Sequence, residues 1–218
     1  MKINLLLCGS FNPITKRHLD IIKLANLLLT EKGIEVETNY ISPVNDQYHL
    51  QKPTMKPTIG GHRLEMIKLA LLDHDQTDNI DLHLWEYNRD QWELTRDVMD
   101  QVAKESPWPL YLLCGADLLV SMNNPKYWSE LDLETITGRY GMVCVNRDQT
   151  DLESQITQNS ILEKNQDQII LLALNSKSEN NISSSRIRKA ILDSNWNLVE
   201  QEVYPSVIKY LKEHQLYQ

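Results

Sequence analysis

Cysteine is scarce and unpatterned in this sequence: Cys8, Cys114 and Cys144 are the 3 in 218 residues, each in or at the end of an apolar run. An odd, scattered set excludes a disulfide framework, and no spacing between them suits a metal module. Buried thiols in a reducing compartment are the expectation. Long hydrophobic runs are also missing. None approaches the roughly 20 residues of a membrane-spanning helix, and the chain opens on an apolar segment without the charged-then-apolar region of a secretory leader. The expectation is an intracellular protein, cytoplasmic and/or nuclear, with no membrane partner. Positive charge is in deficit, with a formal net charge of −8. That balance excludes a chain built to wrap nucleic acid, so an anionic ligand must be met by a local concentration of Arg, Lys and His. Internal repeats and low-complexity blocks are absent.

What is present is the composition of a globular protein, 41% hydrophobic and 24% charged, at a length sufficient for one sizeable α/β domain. The run Ile3–Cys8 predicts a buried strand, ended by a Gly9-Ser10 turn. Pro13 and Thr15 lead into a helix with Leu19, Ile22, Leu24, Ala25, Leu27, Leu28 and Leu29 on a broad apolar face, stopped by Gly33. Val36–Ser42 reads as a second strand, followed by the turn-rich Ser42–Asp46 and a polar, Pro-punctuated surface loop through Lys52 and Pro57. A second helix opens at Gly60-Gly61-His62-Arg63, with Leu64, Ile67, Leu69, Ala70 and Leu71 towards the core. Ile80–Trp85 alternates as a third strand, and Trp92–Glu105 reads as an amphipathic helix. Leu110–Cys114, Tyr140–Val145 and Gln168–Leu174 supply three more strands, with a helical stretch through Ile136 and a polar stretch from Asp148 to Asp167. Asn180–Arg188 opens a helix running through Leu192, and Val207–Leu216 forms a terminal one. The alternation predicts an α/β fold: a Rossmann-like, doubly wound parallel sheet with helices on both faces. A single domain over 1–218 is expected, its C-terminal helical part covering about 181–218.

In such sheets ligands bind beyond the carboxyl ends of the strands, at a topological switch point. The special residues fall there: Gly9-Ser10, Ser42-Pro43, Gly115-Ala116-Asp117, Arg147, and Asn181 to Arg188. Around Gly9-Ser10-Phe11-Asn12-Pro13-Ile14-Thr15-Lys16-Arg17-His18, a strand, a turn and a helix N-terminus make an anion cradle. Thr15 can donate to a phosphate there, and His18 to a phosphoryl group under attack. Ser183-Ser184-Ser185 supply a cap and hydroxyls, while Arg186 and Arg188 put fixed positive charge at a helix start. That arrangement opposes the helix dipole and points to a bound polyanion, against a plain capped surface helix. Asp117 either accepts from ribose hydroxyls or caps the helix that follows. Trp85, Trp92 and Trp128 serve either as core or as stacking faces for a heteroaromatic ring.

Together these residues resemble the nicotinamide mononucleotide adenylyltransferase family of eukaryotic type. Cys8–Thr15 with His18 is similar to its N-terminal nucleotidyltransferase motif, and Ile182–Arg188 to its C-terminal one. Ile41–Asp46 with Tyr48, His62-Arg63, Trp85-Glu86 with Trp92 and Thr95, Leu113–Leu119, Trp128, Tyr140-Gly141 through Arg147, and the tail from Tyr210 to Tyr217 match in order. The resemblance implies transfer of the adenylyl group of ATP to nicotinamide mononucleotide, and to the nicotinic acid form too, giving NAD and pyrophosphate. It implies Mg²⁺ carried on the ATP phosphates and no protein metal site. By position, it implies that Gly9, Ser10, Phe11, Thr15, His18, Gly115, Asp117, Asn181, Ser184, Ser185, Arg186 and Arg188 bind ATP, with His18 and Arg188 catalytic. It places Ser10, Lys52, Trp92, Thr95, Tyr127, Trp128 and Arg147 around the mononucleotide. Family members range from monomers to larger rings, so a homo-oligomer is compatible with the sequence. Two departures stand out. Where the family carries lysines directly after the loop tyrosine, Tyr48 is followed by His49-Leu50-Gln51 and then Lys52, and Ser185 stands where a Thr is common. The alternatives are a sister nucleotidyltransferase with another acceptor, and a catalytically impaired nucleotide-binding or chaperone-like member.

Overall fold

The computed structural model describes residues 1–46, 61–74, 79–146, 150–173 and 183–218. β1 (Lys2–Gly9) is buried from Ile3 through Leu7, as an unbroken apolar run must be in a sheet covered on both faces. Thr15 is the N-cap of α1 (Lys16–Glu31), which buries Leu19, Ile22, Ala25 and Leu29 at the three- and four-residue spacing of one helix face. Leu27 falls off that stripe and is exposed. Gly33, at φ 73°, ends the helix, and its N–H donates to the Thr30 carbonyl.

The chain continues as β2 (Glu35–Pro43), α2 (His62–Asp73), β3 (Ile80–Leu82), α3 (Thr95–Val102), β4 (Leu110–Gly115) and α4 (Ala116–Ser121). Next come α5 (Glu130–Leu133) with a π-helical turn (Glu134–Tyr140), β5 (Met142–Asn146), α6 (Leu152–Thr157), α7 (Ser160–Lys164) and β6 (Ile169–Ala173). The last three helices are α8 (Ser184–Leu192), α9 (Trp196–Glu202) and α10 (Pro205–Glu213). The strands pair in parallel in the order β3-β2-β1-β4-β5-β6. The chain winds outwards from β1 in one direction, returns, and winds outwards from β4 in the other. The switch point therefore lies between the carboxyl ends of β1 and β4, at Gly9 and Gly115.

Alternation along the strands sorts two cores. Ile3, Leu5 and Leu7 of β1, Tyr111 and Leu113 of β4, and Val143 and Val145 of β5 pack with α1, α2, α8, α9 and α10. Leu6, Leu110, Leu112, Cys114, Met142 and Cys144 pack with the helices from α3 to α7 on the opposite face. The doubly wound expectation holds, and the three cysteines are free, two of them buried. Among the described residues, no helix is long and apolar enough to cross a membrane.

Several boundaries differ from expectation. The third strand pairs to Leu82, with a last bond from the His83 N–H to the Ile41 carbonyl, so Leu84 and Trp85 lie beyond the ladder. The helix expected from Trp92 begins at Thr95, leaving Trp92 in the preceding loop. The polar stretch before β6 contains α6 and α7, started by the Asp151 and Asn159 side chains as caps and held by buried Leu152, Ile156 and Leu162. α9, not anticipated, has Asn195 as its cap and anchors through Val199. In α2 the buried positions are Arg63, Met66, Ile67 and Ala70, so an arginine takes a place assigned to Leu64. The loop through Lys52 and Pro57 lies outside the described residues.

Candidate active site

Gly9 ends β1 against the ring of Phe11, where an added Cβ would lie 3.0 Å from the ring edge. Phe11 is 1% exposed, so its ring belongs to the core and can offer a ligand only backbone. The ring lies edge-on to His18, with centroids 5.2 Å apart. Thr15 is also buried, and its hydroxyl is 2.8 Å from His18 Nδ1. That hydroxyl, expected to donate to a phosphate, is engaged by the histidine. The Thr15 backbone N–H donates to the same Nδ1 at 3.0 Å. An Nδ1 that accepts this bond selects the tautomer with the proton on Nε2. His18 is thereby set in the first turn of α1, in a helix N-terminus without an acidic residue.

The C-terminal motif is sewn onto this loop. The Arg188 Nη1 group donates to the Asn12 carbonyl at 2.6 Å, and Ser184 Oγ donates to the Pro13 carbonyl at 2.9 Å. Ser184 is therefore a docking residue, with its proton committed to the backbone. Arg188 Nη2 donates to Ser185 Oγ at 3.0 Å, and burial pulls the guanidinium below its ordinary range while the nearby Tyr217 opposes that shift. The Tyr217 hydroxyl in turn donates to Asn12 Oδ1. Ser183 caps α8 through the Arg186 N–H, and Ser185 and Arg186 are exposed at its start. The structure thus brings Gly9, Ser10, His18, Ser185, Arg186 and Arg188 to one edge of the sheet.

A second brace, missed by the sequence reading, is Arg63, whose side chain is fully buried. It donates to the Ser10 carbonyl at 2.8 Å, the Val44 carbonyl at 2.6 Å and Asp46 Oδ1 at 2.6 Å. One guanidinium therefore ties the loop after β1 to the loop after β2, and the Val44 N–H donates to the Gly9 carbonyl. Close by, burial lifts the Glu86 carboxyl to about 8, against the opposing pull of the Asn45 N–H and Arg63. Burial and Glu86 also push the Cys8 thiol well above its usual range. A basic residue at a helix start beside a Pro- and Asp-containing loop is the only local signal of this network.

At the end of β4, Gly115 caps α4, and the exposed Asp117 carboxylate folds back so that an added Cβ on Gly115 would meet it at 2.8 Å. Trp92 is 39% exposed and Tyr127 72% exposed. Trp128 is half-buried against the second core, and its indole N–H donates to Ser121 Oγ at 3.1 Å. Thr95 is the first residue of α3. Lys52, Arg147 and Asn181 lie outside the described residues. Among the described residues no three His, Cys, Asp or Glu side chains stand together as a metal site. The arrangement offers two helix N-termini, an oriented imidazole and two arginines, which suits a polyphosphate, with the exposed Asp117 carboxylate just beyond the end of β4.

Residues 6–190 match the model of the cytidylyltransferase-like family. The chain is 34% identical to the nicotinamide/nicotinic acid mononucleotide adenylyltransferase of Arabidopsis thaliana, covering 96% of this chain and 87% of the relative. It is 31% identical to enzyme 1 of that name from Saccharomyces cerevisiae, covering 96% of this chain and 54% of the relative. Among solved structures, the Plasmodium falciparum nicotinic acid mononucleotide adenylyltransferase complexed with NaAD shares the fold at a TM-score of 0.77 and 20% identity, covering 100% of this chain and 98% of that one. With the two motifs docked at the switch point and this likeness running over almost the whole chain, the protein belongs to the cytidylyltransferase-like family and, within it, to the nicotinamide/nicotinic acid mononucleotide adenylyltransferases.

Proposed function

We propose that this chain transfers the adenylyl group of ATP to nicotinamide mononucleotide, and to nicotinic acid mononucleotide, forming the dinucleotide and pyrophosphate. The observation that carries the reading is the docking of α8 on the loop after β1 through Arg188–Asn12 and Ser184–Pro13. It puts His18 and the arginines at one edge of the sheet in a chain of this family. A phosphate oxygen of the mononucleotide attacks the α-phosphorus of ATP in line; a new P–O bond forms and the bond to pyrophosphate breaks. The nucleophile is already ionised near neutral pH, so no side chain has to remove a proton. The work is alignment and charge stabilisation.

In this reading His18 directs its Nε2–H at an oxygen of the reacting phosphate, and the N-terminus of α1 faces the same charge. Ser185, Arg186 and Arg188 hold the triphosphate and the leaving pyrophosphate, with Gly9 and Ser10 lining the approach. Gly115 and Asp117 take the adenylate and its ribose, and Asn181 stands beside them. Trp92, Thr95, Tyr127 and Trp128 take the mononucleotide base, with Lys52 and Arg147 assigned to the same half. Mg²⁺ bound to the phosphates supplies further charge neutralisation. Arg186, exposed at the start of α8, and the partly buried Arg188 suit the phosphates on which such an ion would be carried. The three free thiols support an intracellular site of action.

Incubation with ATP, nicotinamide mononucleotide and Mg²⁺ should yield NAD and pyrophosphate, and the nicotinic acid form should yield the acid dinucleotide. Failure to form either above background would overturn the reading. His18→Ala should lower kcat by about 100-fold with an unchanged circular dichroism spectrum, as expected for loss of a donor acting on the transition state. An unchanged kcat would remove His18 from the mechanism.

A further inference from the structure

Two helix starts are assigned to the mononucleotide half, and they belong to different crossovers. Thr95 starts α3 and Trp92 lies in the loop just before it, between β3 and β4, whereas Tyr127 and Trp128 precede α5, between β4 and β5. One ion pair joins these starts. Arg96, the residue after Thr95, places Nη1 2.5 Å from Asp132 Oδ1, with the arginine side chain 22% and the aspartate 9% exposed. The other carboxylate oxygen, Oδ2, accepts from the Ser129 N–H at 2.8 Å and from Ser129 Oγ at 2.6 Å. Ser129 is the cap of α5 and follows Trp128 directly. Trp128 is fixed from its other side by the indole bond to Ser121 Oγ, which itself donates to the Leu118 carbonyl at 2.6 Å.

We propose that Arg96 and Asp132 form a positioning clamp that sets the gap between Thr95 and Trp128, and hence the fit of the pyridine mononucleotide, without touching it. The clamp rests on the assignment of Trp92, Thr95 and Trp128 to that substrate. The physical case is that Asp100 of α3, bonded to Tyr140 and Arg139, ties α3 to the far end of the π-helical turn that continues α5, so Arg96–Asp132 is the charged link at the starts of the two segments. A largely desolvated ion pair with both carboxylate oxygens engaged resists displacement far more than an exposed one. Asp132 does two jobs with one group: Oδ1 fixes α3, and Oδ2 fixes the segment carrying Trp128. The clamp lies apart from Arg188 and His18, so its loss acts on one substrate only.

The test compares wild type with Arg96→Leu, Arg96→Lys and Ser129→Ala, measuring KM for each substrate and the quenching of tryptophan fluorescence by nicotinamide mononucleotide alone. Arg96→Leu should raise the KM for mononucleotide about ten-fold and weaken the fluorescence titration alike, with KM for ATP within about two-fold of wild type. Arg96→Lys, which keeps a charge for Asp132, should recover most of the loss. Ser129→Ala, which leaves the ion pair and frees the segment next to Trp128, should raise the same KM, and it carries the test if Arg96→Leu does not fold. A folded Arg96→Leu with wild-type KM for mononucleotide, or with both KM values raised equally, overturns the clamp while leaving the functional reading intact. A wild-type protein that forms no dinucleotide overturns the reading and the clamp with it.

Discussion

Thr15 holds the His18 ring by two bonds, so the role proposed for His18 depends on a residue that is buried. The same dependence runs through Arg63 and Glu86. Arg63→Leu removes donors from two backbone carbonyls and from Asp46 at once, and it should destabilise the fold by about 3 kcal/mol, read by urea unfolding. Glu86 carries the opposite sign. Its carboxyl, raised to about 8 by burial, binds a proton in the folded state that the unfolded chain has lost above its ordinary value of 4.5. Its contribution is therefore fully present below that ordinary value and is lost as pH rises towards about 8. Glu86→Gln should flatten this fall, giving a melting temperature about 5 °C above wild type at pH 9 and little difference at pH 5. Tyr217→Phe deletes only the hydroxyl that reaches Asn12. KM for ATP should rise about three-fold, with an unfolding cost near 1 kcal/mol. Gly9, His18 and Arg188 were legible in sequence because their chemistry is written in short local strings. Tyr217 and Arg63 as braces were not: their partners are 205 and 53 residues away for Asn12 and Ser10, and no periodicity records such pairs.

At the scale of elements, the start of α8 carries the triphosphate end of the proposed site. Ser183 accepts from the Arg186 N–H, and no acidic residue stands in the first turn, which leaves the dipole unopposed for an external anion. Ser183→Ala should cost about 1 kcal/mol in urea unfolding and raise KM for ATP, whereas Ser160→Ala, at the start of α7 on the other side of the sheet, should leave that KM unchanged. The strands and longer helices were readable because apolar runs and three- or four-residue spacing survive inspection of one sequence. What escaped were short helices. α6, α7 and α9 each bury only one or two apolar side chains and depend on a capping Asp or Asn, a signal that polar loops share. The third strand and the helix after Trp92 were overestimated for a related reason: alternation and amphipathicity extend beyond the residues that the backbone ladders include.

Over the whole molecule, a protein of net charge −8 gathers His18, Arg186 and Arg188 at one edge, so long-range attraction contributes little to ATP capture and local contacts carry it. Raising ionic strength from 50 to 200 mM should therefore change kcat/KM for ATP by less than about three-fold at constant free Mg²⁺. The order β3-β2-β1-β4-β5-β6 sets the edge, and two cores of alternating residues hold it. The bonds from α8 to residues 12 and 13 span 171 to 176 positions in sequence, whereas the sheet they complete is held by its own dense ladders. Two levels of cooperativity follow. A partial opening in which α8 swings off while the strands persist would be a discrete, low-lying state that still looks folded to far-ultraviolet light. In rising urea, turnover should then vanish before ellipticity does, amides of α8 should exchange ahead of those in β1 and β4, and saturating ATP should pull the two transitions together by mass action on the closed state alone.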